Sequence, residues 1–95
     1  MSIQAQSSIQ LDNERTRVTE WRFPPAAETA YHQHEYDFLV VPLTSGKLKI
    51  VGPDGSQRIK EISTGKSYSR QAGTEHNVIN MSDYELVLLE IELLK

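Results

Sequence analysis

The 95-residue chain contains no cysteine, which excludes disulfides and thiolate metal sites and leaves imidazole and carboxylate as its strong metal-binding groups. No window approaches about 18 consecutive apolar residues, so no membrane-spanning helix is expected. The opening MSIQAQSSIQLDNE also lacks a basic segment followed by an apolar run, the mark of a signal peptide. Blocks of like charge are missing as well. Ten basic and thirteen acidic residues give a net charge of −3, without the basic footprint of a nucleic-acid or membrane-surface binder. These absences predict a cytoplasmic protein with neither nucleic acid nor membrane as a partner. The length allows one core, assigned to residues 15–95, with residues 1–14 as an N-terminal arm or edge strand.

What is present is a closely spaced series of turn signals: FPP at 23–25, TSG at 44–46, GPDG at 52–55, STG at 63–65, AG at 72–73 and MSD at 81–83. The intervals suit strands and leave little room for helices. Lys47–Val51 and Gln57–Ile62, joined by GPDG, predict a hairpin in which Ile59 and Ile62 alternate with polar residues. From Arg17 to Phe23, Thr19, Trp21 and Phe23 share one face while Val18, Glu20 and Arg22 share the other. Phe38 to Leu43 is nearly all apolar, as in a strand covered on both sides. In YELVLLEIELLK, Val87, Leu89, Ile91 and Leu93 fall on one face, with Leu86 and Leu88 on the other. Leu and Glu there also suit a helix, but Val and Ile recurring with period two favour a strand, whose second cover in so small a chain is another subunit. Eight or nine short strands and no helix predict an all-β sandwich or jelly roll.

Two of the three histidines stand in AYHQHEYDF, one residue apart. On a strand, His32 and His34 project to the same face with Cα atoms about 6.6–7 Å apart, near enough to share one ion, whereas on a helix they diverge. His76, in AGTEHNVIN, follows Gly73, which permits a tight turn into the next strand. Three neutral imidazoles meeting from two strands make a facial metal site with positions left open for water or substrate.

These residues resemble the motifs of small single-domain cupins. The second motif, G-x5-P-x-G-x2-H-x3-N, is matched by Gly65, Gln71 in place of proline, Gly73, His76 and Asn80. The first, G-x5-H-x-H-x3-4-E-x6-G, is matched at His32, His34 and Gly46, with Ala27 and Ala30 near the usual glycine. Its glutamate would fall at Phe38 or Leu39, which bind no metal, so Asp37, one position early, is the candidate fourth ligand, swung inward by a bulge at Glu35 and Tyr36. The resemblance implies a cupin-type jelly roll (double-stranded β-helix) barrel, a homodimer, and a divalent Fe, Mn, Ni or Zn ion on His32, His34, His76 and Asp37. It implies a small organic molecule as ligand or substrate, with dioxygenase, isomerase and lyase chemistries all open. Asp37 is then a ligand or nearby base, and Tyr68, on the short strand before the second motif, a candidate acid or substrate anchor. The alternatives are a non-catalytic module with a small ligand or structural metal, and a metal-free interaction domain.

Overall fold

A computed structural model describes residues 2–94. The outermost residue of each expected segment, Met1 and Lys95, lies outside the described residues. Eleven strands run in the order β1 (Ile3–Gln4), β2 (Gln6–Asp12), β3 (Thr16–Phe23), β4 (Ala27–Glu28), β5 (His32–Gln33), β6 (Asp37–Pro42), β7 (Gly46–Val51), β8 (Gln57–Ile62), β9 (Tyr68–Arg70), β10 (Glu75–Asn80) and β11 (Leu86–Leu93). Among the described residues there is no helix, hence none long and apolar enough to cross a membrane. Two sheets face each other. One is ordered β1-β4-β10-β7-β8, with β5 also paired to β10, and the other β2-β3-β11-β6-β9, which together form the jelly roll. Two-residue pairings at β1, β4 and β5 account for the strands beyond the eight or nine expected, because so short a segment carries no periodicity to read.

Alternation sets the core. Phe23 of β3, Phe38 and Val40 of β6, Leu48 and Ile50 of β7, Ile62 of β8, Val78 of β10, and Leu86 and Leu88 of β11 are all buried between the sheets. Each contributes roughly 1.5–3 kcal/mol of apolar burial. The β7–β8 hairpin forms in the expected register, with Gly55 in the turn at φ 80°. Its apolar face differs from the expected one: Ile62 is buried, but Ile59 is 52% exposed on the outer side, since residues three apart on a strand point oppositely. The other inward positions of β8, beside Ile62, are held by Arg58 and Lys60, opposite Ile50 and Leu48.

Two turns fix how the chain enters the barrel. Ala27 N–H donates to the Pro24 carbonyl at 2.9 Å, closing a four-residue turn in which Ala26 has φ 67°. Proline at its second position and a positive φ at its third are the pattern of a type II turn, where glycine is usual. At the same end of the barrel, Gly46 packs so tightly that an added Cβ would lie 2.6 Å from Leu86 Cδ2 and 2.7 Å from Ser82 Oγ. The buried Asn80 amide donates to the carbonyls of Phe23 (2.9 Å), Pro24 (3.3 Å) and Tyr84 (2.8 Å), while its oxygen accepts from Ser82 N–H at 2.7 Å.

Candidate metal centre

The three histidines meet because β5 and β10 are antiparallel neighbours with His32 and His76 directly opposite. The strand β5 ends at Gln33, but His34 stays in place because its N–H donates to the Thr74 carbonyl (2.9 Å) and its carbonyl accepts from Gly73 N–H (2.8 Å). Gly73, at φ 91°, supplies the tight turn that this exchange needs. The His34 ring stacks on Phe38 with centroids 3.8 Å apart, which sets its plane.

The Nε2 atoms of His32 and His34 are 2.9 Å apart, and those of His34 and His76 are 3.2 Å apart. The Nδ1 of His32 lies 2.9 Å from the Ala30 carbonyl, which can only accept, so that nitrogen carries the hydrogen and Nε2 of neutral His32 is a bare lone pair. No placement of hydrogens on neutral imidazoles then satisfies both contacts of His34. A hydrogen on His34 Nε2 can be donated to only one neighbour, and a bare His34 Nε2 opposes the lone pair of His32. One cation satisfies all three nitrogens. Two nitrogens bound to one ion at about 2.0–2.1 Å lie roughly 2.8–3.4 Å apart in octahedral or tetrahedral arrangements, which covers both contacts, and the ligand atoms of all three histidines lie within 4.8 Å of one another.

Burial favours the uncharged form needed for ligation. The pKa of His34 is lowered to about 4, first by desolvation and then by the charge on His32. That of His76 is lowered to about 4 by desolvation, by both other histidines, and by the Arg70 and Arg58 guanidiniums. Both are neutral near pH 7.

Asp37 does not join this cluster. It is the first residue of β6, exposed and on the face opposite Phe38, and its Oδ1 accepts from Ala72 N–H at 2.7 Å. No bulge turns it inward; the regular β6–β11 pairing, with Asp37 opposite Leu93, keeps it outside. The carboxylate near the histidines is Glu90 of β11, with Oε2 at 3.8 Å from His34 Nε2. Burial, followed by the nearby Glu92, raises its pKa to about 7, and the Trp21 indole acts in the opposite sense. Glu90 was legible in principle, since it continues the inward series Leu86, Leu88 by one more step of two.

Tyr68 lines the same cavity, opposite Val40 of β6, with its pKa raised by burial and partly offset by Arg70 and Arg58. The cavity between the sheets has a volume of about 40 Å³ and is walled by His32, His76, Phe38, Trp21, Tyr68 and Glu90, with further apolar residues below and cations at its mouth. Of the other residues flanking the ligands, Tyr31 donates to Glu75 at 2.9 Å on the exposed rim, Glu35 is exposed, and Arg70 borders the cavity.

A histidine cluster at one end of a two-sheet jelly roll defines a class, and the comparisons agree. The family model for the cupin domain matches residues 19–92, and the chain belongs to that family. Among individual proteins, it is 48% identical over 90 residues to the β-alanine degradation protein BauB of Pseudomonas aeruginosa, covering 95% of this chain and 94% of the relative. The crystal structure of a cupin domain from Bordetella pertussis Tohama I superposes with a TM-score of 0.94 at 48% identity, covering 98% and 96% of the two chains. A double-stranded β-helix domain protein from Klebsiella pneumoniae, at 16% identity and TM-score 0.78 over 95% and 76% of the chains, shares the fold.

Proposed function

We propose that this cupin binds one divalent ion through Nε2 of His32, His34 and His76 and acts on a small organic molecule at the coordination positions left open. The observation that carries this reading is the pair of Nε2 contacts at 2.9 and 3.2 Å, which neutral imidazoles cannot satisfy among themselves. Such an ion supplies Lewis-acid polarisation of a carbonyl or enolate, or a redox centre if it is iron. The protein contributes the rest. Glu90 is placed to hold or accept a proton beside His34, and its raised pKa suits transfer near neutral pH. Tyr68, half-buried with an elevated pKa, is the proton donor or anchor across the cavity. Phe38 and Trp21 exclude water from its floor. The similarity to a protein named for β-alanine degradation supports a small metabolite as the ligand.

The small cavity, about 40 Å³, favours a second reading in which the ion is structural or the barrel only binds. Exchangeable water on the bound ion separates the two, since a closed ligand shell has none.

We further place the protein in the cytoplasm as a homodimer. The outer face of the β3-β11-β6 sheet supports that assembly, with Val18, Leu39, Val41, Leu89 and Ile91 only half-buried in the single chain.

The test is elemental analysis of untagged protein purified without chelator and reloaded with Fe, Mn, Ni or Zn, beside His32→Ala and His76→Ala. About one ion per chain, lost in both variants, is expected for a three-imidazole site. No ion under any loading condition overturns the proposal.

A further inference from the structure

The cavity mouth carries a feature that metal binding leaves unexplained. Arg58 and Lys60 of β8 and Arg70 of β9 occupy inward-facing strand positions, opposite the buried Ile50, Leu48 and Phe38. Alternation would ordinarily place apolar side chains there, yet of the two isoleucines of β8 only Ile62 turns inward and Ile59 faces solvent. The arginines of β3 behave differently: Arg17 pairs with Asp12 and Glu92, and Arg22 with Glu20 and Glu85. Among the described residues, none of the three mouth cations has an ion-pair partner. Two are held in place by an aromatic ring, with Lys60 Nζ 4.3 Å and the Arg70 guanidinium carbon 4.9 Å from the centroid of Tyr68. In a chain of net charge −3, this is a local concentration of unpaired positive charge directed at a cavity.

We propose that Arg58, Lys60 and Arg70 dock the carboxylate of a small organic acid whose other end reaches the histidine cluster. The inference rests on the reading of this cavity as the ligand site of the metal centre and names its substrate class. Guanidinium groups match the planar fork of a carboxylate, and three donors from two strands can grip it without chain movement. The small space of about 40 Å³ between the sheets favours a short acid over a long one. A monoanion is favoured over a phosphate dianion because Glu90 shares the cavity and opposes a second negative charge.

The experiment is an NMR titration of the intact protein, metal-free and metal-loaded, with propionate, with its neutral isostere propionamide and with inorganic phosphate. Propionate is expected to bind at least about tenfold more tightly than propionamide, as one charge-assisted contact implies, shifting the amides of Arg58, Lys60, Tyr68 and Arg70. The preference should persist in metal-free protein and fall by about tenfold in the Arg58→Gln/Arg70→Gln variant, with melting temperature and metal content unchanged. Equal binding of acid and amide, a preference that survives the double substitution, or tighter binding of phosphate would each overturn the proposal. The metal-free arm separates the two readings. Arginine-dependent propionate binding in a protein that takes up no metal upholds the anion site while the metal centre fails.

Discussion

Each end of the barrel buries polar side chains, in opposite states of satisfaction. At the Asn80 end, one amide engages three carbonyls and a backbone N–H, and every hydrogen-bonding group has a partner. At the histidine end, three imidazoles turn their Nε2 atoms toward one another, where their own hydrogens cannot satisfy the contacts. Completed buried networks specify a fold, whereas an incomplete one built from metal-binding groups is prepared for something added later. The two ends should therefore respond differently to ligand, acid and mutation.

The largest expected difference comes from metal. An ion held only by the folded state at about 1,000 times its dissociation constant stabilises the protein by about 4 kcal/mol. Thermal or urea unfolding should register that gain in the wild type and lose it in His76→Ala. Asn80→Ala should retain the gain in full, because Asn80 touches no histidine. A gain that survives in His76→Ala would place the ion elsewhere.

Acid should act next, and only at the histidine end. The folded pKa of His34 and His76, about 4, lies below the ordinary 6.5, so the unfolded chain binds more protons between those values. Metal-free stability is then fully present above about pH 6.5 and falls as the pH drops toward 4. The unfolded chain gains a proton at each of the two histidines over this window while the folded cluster resists both, and a first proton on the cluster disfavours the second further, so the loss is on the order of several kcal/mol. Glu90 has the opposite sign. Its folded pKa of about 7 exceeds the ordinary 4.5, so its contribution is complete below pH 4.5 and is lost as the pH rises to 7. Urea unfolding of metal-free Glu90→Gln should therefore show a steeper loss of stability on acidification than the wild type. An unchanged pH profile in that variant would mean that Glu90 titrates normally.

Asn80→Ala should cost about 2–3 kcal/mol in loaded and metal-free protein alike, since it strands the buried carbonyl of Phe23 and the half-buried one of Tyr84. Metal stoichiometry should remain that of the wild type. A dependence of this cost on metal would show that the two ends are coupled.

The same contrast explains what could be read from the sequence. Asn80, Gly73 and His76 sit at fixed intervals in one motif, and β3, β6 and β11 were legible, β3 and β11 by alternation and β6 as an apolar run, because each has six residues or more. Regular strands carry their facing rule with them, so the barrel and the convergence of His32, His34 and His76 followed. Asp37 was misjudged where a family pattern was followed against that rule: β6 is regular from its first residue, and parity alone turns Asp37 away from Phe38. Glu90, Arg58 and Lys60 went unread for a related reason. Charged residues at inward positions look like errors of phase until the opposite strand is known, and Ile59 suggested the wrong phase for β8. Local pattern gives the face of a residue; only the sheet pairing gives what it faces.

The smallest effects should come from two strained alanines, which divide between fold and site as the two ends do. Ala26 and Ala30 have φ values of 67° and 73°, a region that costs a residue bearing a Cβ about 1–2 kcal/mol. Glycine removes that strain and returns part of the gain as greater freedom of the unfolded chain, about 0.4–1 kcal/mol. Ala26→Gly should therefore stabilise the protein by about 0.5 kcal/mol and leave metal affinity unchanged, because the Pro24–Ala27 turn touches no ligand. Ala30→Gly should give a similar gain but weaken metal binding several-fold, since the Ala30 carbonyl fixes the hydrogen of His32 on Nδ1 and must stay aimed at it. Competition against a chelator of known affinity measures both variants. Equal affinity in the two would mean that Ala30 shapes the backbone alone, and that the His32 tautomer is chosen by the ion.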